Sequence, residues 1–144
     1  MRLVSYRALL PAVLLGLALC LSGCAAEDAA RSGTRVVDID ERDFHIEAPR
    51  QLAAGAVDLA VENYGPDAHE LIVVRANSRR LPVRSDGTTI DEESMEKQEA
   101  GALEPGEPGH TRHLEVRLEP GVYELFCNMA GHYSGGMHRR LVVR

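Results

Sequence analysis

The clearest pattern in the chain is alternation. Val37 and Ile39, then Phe44 and Ile46, recur at a spacing of two, and Val57, Leu59 and Val61 repeat the rhythm. That period gives each of several strands one apolar face and one polar face. A turn cluster, Asn63-Tyr64-Gly65-Pro66-Asp67, closes the third run. Leu71-Ile72-Val73-Val74 is apolar throughout, as in a central strand covered on both faces. The strand pattern returns at Leu114-Val116-Leu118, turns at Pro120-Gly121, runs from Val122 to Cys127 and ends with Leu141-Val142-Val143. About seven short strands separated by turn signals predict an all-β, antiparallel sandwich.

Residues 77–110 break the rhythm. Asn77 to Arg80 is polar, and Ser85-Asp86-Gly87 is a turn signal. Thr89 followed by Glu92 has the form of a capping box, which would open a short surface helix over Ile90 to Ala100. Gly101 would stop that helix, and Pro105-Gly106 and Pro108-Gly109 mark turns. The stretch reads as a short helical insertion between strands.

The N-terminus belongs to no sheet. Arg2 and Arg7 precede the apolar run Ala8 to Leu21, about 14 residues long, which suits a signal peptide and is short for a membrane span. Leu21-Ser22-Gly23-Cys24 resembles the lipobox of bacterial lipoproteins. The resemblance implies that residues 1–23 are removed, that Cys24 is lipidated and that 24–34 tether a domain spanning 35–144. The protein would then lie outside the cytoplasm, anchored by lipid to a bacterial cell membrane, with inner or outer membrane left open. An ordinary secretory signal with a chance Cys is the alternative.

Composition narrows the core and the partners. At 44% hydrophobic residues with no Trp and 4% aromatics, the core must be aliphatic. The net charge of −6 becomes −8 once residues 1–23, with two Arg and no acid, are gone. An acidic domain disfavours nucleic acid and suits a basic protein partner. Nothing resembles a nucleophilic triad, a phosphate-binding loop or paired catalytic carboxylates, so no enzyme and no small-molecule substrate are expected. A monomer is expected.

Cysteine usage points to chemistry. Cys20 leaves with the signal and Cys24 takes the lipid, so Cys127 is alone in an oxidising compartment. It is either an inert core thiol or a metal-bound thiolate. Cys127 opens the run Cys127-Asn128-Met129-Ala130-Gly131-His132-Tyr133-Ser134-Gly135-Gly136-Met137, or C-x4-H-x4-M, between the last two strands. Gly131, Gly135 and Gly136 permit the tight loop that would bring three side chains to one point. Thiolate, imidazole and thioether suit copper, which takes two His and a Cys with a weak axial Met. Zinc is the competing metal, but it takes Cys and His without a thioether.

The second imidazole must come from elsewhere. His69 is the best candidate, because it follows a turn and leads directly into the buried run at Leu71. His45 is in phase with outward positions, His110 and His113 lie near a Pro-Gly turn, and His138 heads the last strand.

The C-x4-H-x4-M loop, Pro120-Gly121-Val122-Tyr123 with Phe126-Cys127, and Asn63-x-Gly65-x3-His69 together resemble the cupredoxin family of plastocyanin and azurin over roughly residues 35–144. The resemblance implies a Greek-key β-sandwich and one type 1 copper ion held by His69, Cys127, His132 and Met137. It also implies that His132 lies nearest the surface. The chain departs from the family at Glu70, where many relatives carry Asn that steadies the Cys loop, and in the length of the 77–110 insertion.

Three functions follow in order. The first is single-electron transfer between membrane-associated or extracytoplasmic redox partners such as a cytochrome or oxidase. The second is copper carriage or chaperoning, for which Met129, Met137 and His138 would be the loose ligands. The third, an enzyme, lacks a second copper centre, and a dinuclear site would need a second loop Cys.

Overall fold

A computed structural model of the protein describes residues 34–76 and 80–144. The proposed signal peptide, the lipidated Cys24 and nearly all of the tether therefore lie outside the described residues. The described chain forms nine strands: β1 (Arg35–Arg42), β2 (His45–Glu47), β3 (Gln51–Leu52), β4 (Gly55–Asn63), β5 (His69–Arg75), β6 (Glu99–Gly106), β7 (Thr111–Leu118), β8 (Gly121–Phe126) and β9 (His138–Val143). One sheet has the order β2-β1-β4-β7 and the other β3-β9-β8-β5-β6. The chain passes repeatedly from one sheet to the other, as a Greek-key sandwich requires.

The sheets are mixed, whereas the alternation pattern predicts antiparallel ones. β1 runs parallel to β4, and β3 parallel to β9. Alternation reports which face is buried and is silent on strand direction, so these two pairings leave no trace in it.

The inward residues are those the period of two selects. Val57, Leu59 and Val61 of β4 are fully buried against Leu71 and Val73 of β5, Leu125 of β8 and Leu141 of β9. Phe44 is the exception. It sits in the turn between β1 and β2 with φ of 59°, and its side chain is 51% exposed. Its spacing from Ile46 is therefore a coincidence of a turn residue with a strand phase.

The Leu71–Val74 run of β5 is apolar because both faces of the strand are covered there. Leu71 and Val73 face the inter-sheet core, while Ile72 and Val74 join a second cluster with Leu81, Ile90, Met95, Phe126 and Tyr133. The 77–110 stretch supplies much of that cover, but its structure differs from the expected helix. Helix α1 is only Glu92–Met95, its N-cap Asp91 makes no side-chain capping bond, and a 3-10 turn, Glu96–Gln98, follows. The Thr89 capping box does not form. Residues Glu99–Gly106 are strand β6, paired along β5, and Gly101 stands opposite Val73 instead of ending a helix. The open edge of β5 offers a full ladder of backbone hydrogen bonds, and this outweighs the weak helix propensity of a short polar run. Among the described residues no helix is long and apolar enough to cross a membrane.

One inward position is charged. Glu41 follows Val37 and Ile39 in phase on β1 and is fully buried, with Arg112 of β7 donating to its Oε2 at 2.7 Å. Burial outweighs the attraction of Arg112 and pushes the Glu41 carboxyl up to about 7 from 4.5. Between those two values the folded protein keeps a proton that the unfolded chain has released. The contribution of Glu41 to stability is therefore fully present below about 4.5 and is lost as pH rises through about 7. Glu41→Gln removes this step. The denaturation midpoint of Glu41→Gln should rise relative to the parent between about pH 5 and about pH 8. A constant difference between the two proteins across that range would contradict the assignment.

Candidate metal centre

The last two long strands of the second sheet, β8 and β9, are joined by the Cys127–Met137 loop. Cys127 N–H donates to Met137 O at 3.2 Å, and Met137 N–H donates to His132 O at 2.9 Å. These bonds draw positions 127, 132 and 137 together. Gly131 and Gly136 carry φ of 84° and 111°, a left-handed backbone that side chains resist. Gly135 serves differently: a Cβ there would overlap the Phe44 ring.

The ligand atoms of His69, Cys127 and His132 lie within 4.8 Å of one another. Among the described residues they form the one such group of three. His69 enters from the first residue of β5, beside a register shift between His69 and Leu71 that re-aims the strand start. Cys127 Sγ is 3.5 Å from His132 Nδ1, and the two imidazoles lie 5.1 Å apart between centroids. His69, Cys127 and Met137 are fully buried, while His132 is only partly covered. Met137 packs in the same apolar cluster as Cys127.

The donor set fits a bound cation. His69 Nε2 faces Asp43 Oδ1 at 3.1 Å, whereas its Nδ1 is buried without a hydrogen-bond partner. A buried nitrogen in that state is costly unless something accepts its lone pair. Burial lowers the His69 pKa, His132 lowers it further and Asp43 opposes both, a balance that favours the neutral ring. Burial likewise pushes the Cys127 thiol up to about 11, so without a cation beside it the sulfur keeps its proton.

The structure answers the departure at Glu70. Glu70 Oε1 accepts the Asn128 N–H at 3.0 Å, so a carboxylate steadies the Cys loop from the position after His69. Burial first, then repulsion from Glu92, raises the Glu70 pKa. The 77–110 stretch completes the support. Asn128 Oδ1 accepts the Ile90 N–H, its Nδ2 donates to Ile90 O and Glu92 Oε1, and Gly131 N–H donates to Thr88 O at 2.8 Å. Sequence reasoning singled out His69, Cys127, His132 and Met137 but missed Asp43 and Asn128, which are isolated polar residues outside any periodic pattern.

The other histidines are engaged elsewhere or exposed. His45 stands by Glu47 at 3.4 Å, His113 by Asp58 at 2.9 Å, and His138 by buried Glu124 at 3.0 Å while stacking on Tyr133. His110 is exposed.

No family model matches the sequence, and no curated protein sequence matches it. Solved structures do. Auracyanin A, a "blue" copper protein from Chloroflexus aurantiacus, superposes with a TM-score of 0.58 at 17% identity, over 78% of this chain and 100% of its own. Dithionite-reduced auracyanin from Roseiflexus castenholzii gives 0.57 at 15% identity, over 78% and 99%. Rusticyanin from Thiobacillus ferrooxidans gives 0.55 at 14%, over 78% and 79%. The chain shares their fold, the cupredoxin-like Greek-key sandwich.

A buried thiol with a raised pKa reacts slowly. Cys127 in the folded, metal-free protein should resist iodoacetamide at neutral pH and react readily once unfolded, as read from the modified peptide by mass spectrometry. Glu70→Ala strands the Asn128 N–H and should cost on the order of 1–2 kcal/mol while speeding that alkylation. Equal rates in parent and variant would show that Glu70 does not hold the loop.

Proposed function

We propose that this domain holds one copper ion through His69, Cys127, His132 and Met137 and passes single electrons between extracytoplasmic redox proteins. The observation that carries the reading is the convergence of His69, Cys127 and His132, together with a buried His69 Nδ1 that has no hydrogen-bond partner. Two imidazoles and a thiolate beside a thioether match the ligand preference of copper better than that of zinc. Copper bound there would supply the one-electron couple.

The chain's own residues do the rest. The backbone bonds across the Cys127–Met137 loop, with Glu70 and Asn128, hold the donors in place, so little rearrangement accompanies a change of charge. Burial of His69, Cys127 and Met137 keeps water from the centre. His132 is the partly exposed member, so its ring is the shortest route to a partner. Phe44 lies 5.3 Å from that ring and adds an exposed apolar surface beside it. The net negative charge suits a basic partner, such as a cytochrome or oxidase. The lipobox-like Leu21-Ser22-Gly23-Cys24 supports a lipid anchor at Cys24 that would keep a monomeric carrier outside the cytoplasm on a bacterial cell membrane. Copper carriage is less well supported, because Met137 is buried and His138 is tied to Glu124.

The test is spectroscopic. The whole chain, purified in detergent and given one equivalent of Cu(II), should show an intense visible thiolate-to-copper band and narrow copper hyperfine splitting. Cys127→Ser should abolish both. A colourless protein that takes only Cu(I) would move the reading to copper carriage, and one that takes no copper would overturn it.

A further inference from the structure

The turn between β1 and β2 lies over the metal end of the sandwich, and its two tip residues touch both histidines of the cluster. Phe44 packs edge-on against His132 at 5.3 Å between ring centroids. It does so with φ of 59°, the one positive value outside glycine among the described residues. A non-glycine residue in this conformation persists only where its surroundings hold it. Asp43, its neighbour, places Oδ1 3.1 Å from His69 Nε2. Gly65 leaves room for that pair. A Cβ at Gly65 would lie 2.5 Å from Asp43 Oδ1 and 2.8 Å from His69 Nε2.

A neutral imidazole carries one N–H. If it sat on Nδ1, a buried donor would point at no acceptor, and the Nε2 lone pair would face a carboxylate oxygen. With the proton on Nε2, the ring donates to Asp43 and Nδ1 is bare. A ring that donates to a carboxylate is also a more electron-rich ligand through its other nitrogen. Nearby negative charge favours the more highly charged state of any ion bound opposite it.

We propose that Asp43 is a positioning residue for the metal centre: its carboxylate fixes His69 as the Nε2–H tautomer, aims Nδ1 into the cluster and stabilises Cu(II) over Cu(I), lowering the reduction potential. The last clause rests on the copper reading, whereas the tautomer does not. Two side chains present alternatives to the carboxylate. Asn retains an oxygen that can accept from Nε2 but carries no charge. Leu fills similar space and accepts nothing.

The experiment uses the whole chain in detergent as parent, Asp43→Asn and Asp43→Leu. In the metal-free proteins, nitrogen NMR reads which nitrogen of His69 is protonated. The parent and Asp43→Asn should carry the proton on Nε2, and Asp43→Leu should lose that preference. In the copper-loaded proteins, both variants should keep the visible band while Cu(II) affinity falls about tenfold relative to Cu(I). For a one-electron couple this raises the potential by about 59 mV. A proton on Nδ1 in the parent, or an unchanged potential in both blue variants, overturns the proposal. If Asp43→Leu does not fold, Asp43→Asn alone decides through its potential. A parent that takes no copper defeats the functional reading, and the proposal is then overturned in its copper clause while the tautomer measurement decides the rest.

Discussion

An eleven-residue loop, Cys127 to Met137, has to bring a thiol, an imidazole and a thioether to one end of a β-sandwich while its own backbone leaves the sheet. Every peptide group that turns inward there needs a partner, because a buried, unpaired N–H or C=O costs as much as a lost hydrogen bond. The loop meets part of that demand internally, through Cys127 to Met137 and Met137 to His132. The remainder falls on neighbours. Glu70 receives the Asn128 N–H, Thr88 O receives the Gly131 N–H, and the Asn128 amide clasps Ile90 and Glu92. The placement of the 80–98 segment is thus tied to the same constraint. It covers the outer face of β5 with Ile90 and Met95 and, in the same stroke, lends its backbone to the loop.

The polar interior of the molecule follows from this. Of the buried polar residues, Glu41, Asn63, His69 and Asn128 lie at the end of the sandwich where the loop folds back, while Glu124 within β8 is engaged by His138 and Tyr133. Asn63 accepts from Gly65 N–H and donates to Asp67 O and Gly106 O, which fixes the turn that delivers His69. Glu41, opposite Asn63 in the β1–β4 register, is paired with Arg112. Truncating one member of such a set leaves its partner unsatisfied, which is worse than never having had either. The opposite half of the core, around Val57, Leu118 and Val143, is apolar and needs no such arrangement.

How much of this the amino-acid order reveals depends on whether the cause is local. Val57-Leu59-Val61 declares its buried face through period alone, and Leu71 to Val74 declares a strand covered on both sides. The loop was legible because C-x4-H-x4-M is a spacing of chemically related donors, and His69 because a turn and an apolar run flank it. β6 was illegible because its cause is the free edge of β5, some 30 residues upstream, while its own composition speaks weakly for helix. The parallel pairs β1–β4 and β3–β9 were hidden for the same reason: direction is decided by where the chain returns. Glu41 could have been suspected, since it continues the phase of Val37 and Ile39. Asp43 and Asn128 could not, because their partners lie 26 and 36 residues or more away with no pattern between.

The graded exposure of the centre gives it a direction. His69 sits behind the cluster, paired with Asp43, with no accessible surface. Cys127 and Met137 are equally buried, and only His132 reaches toward solvent, framed by the Phe44 ring. A site built for a diffusing substrate would need an opening onto the reacting atom. Here the atoms that could bind a metal are walled off, and a single imidazole edge communicates with the outside. Under the proposed copper reading, that arrangement would suit a charge that enters and leaves while the ion stays. It also explains why a strained Phe44 backbone is tolerated at the rim: the residue is held by the two features it serves, the Gly135 gap below and the His132 ring beside it.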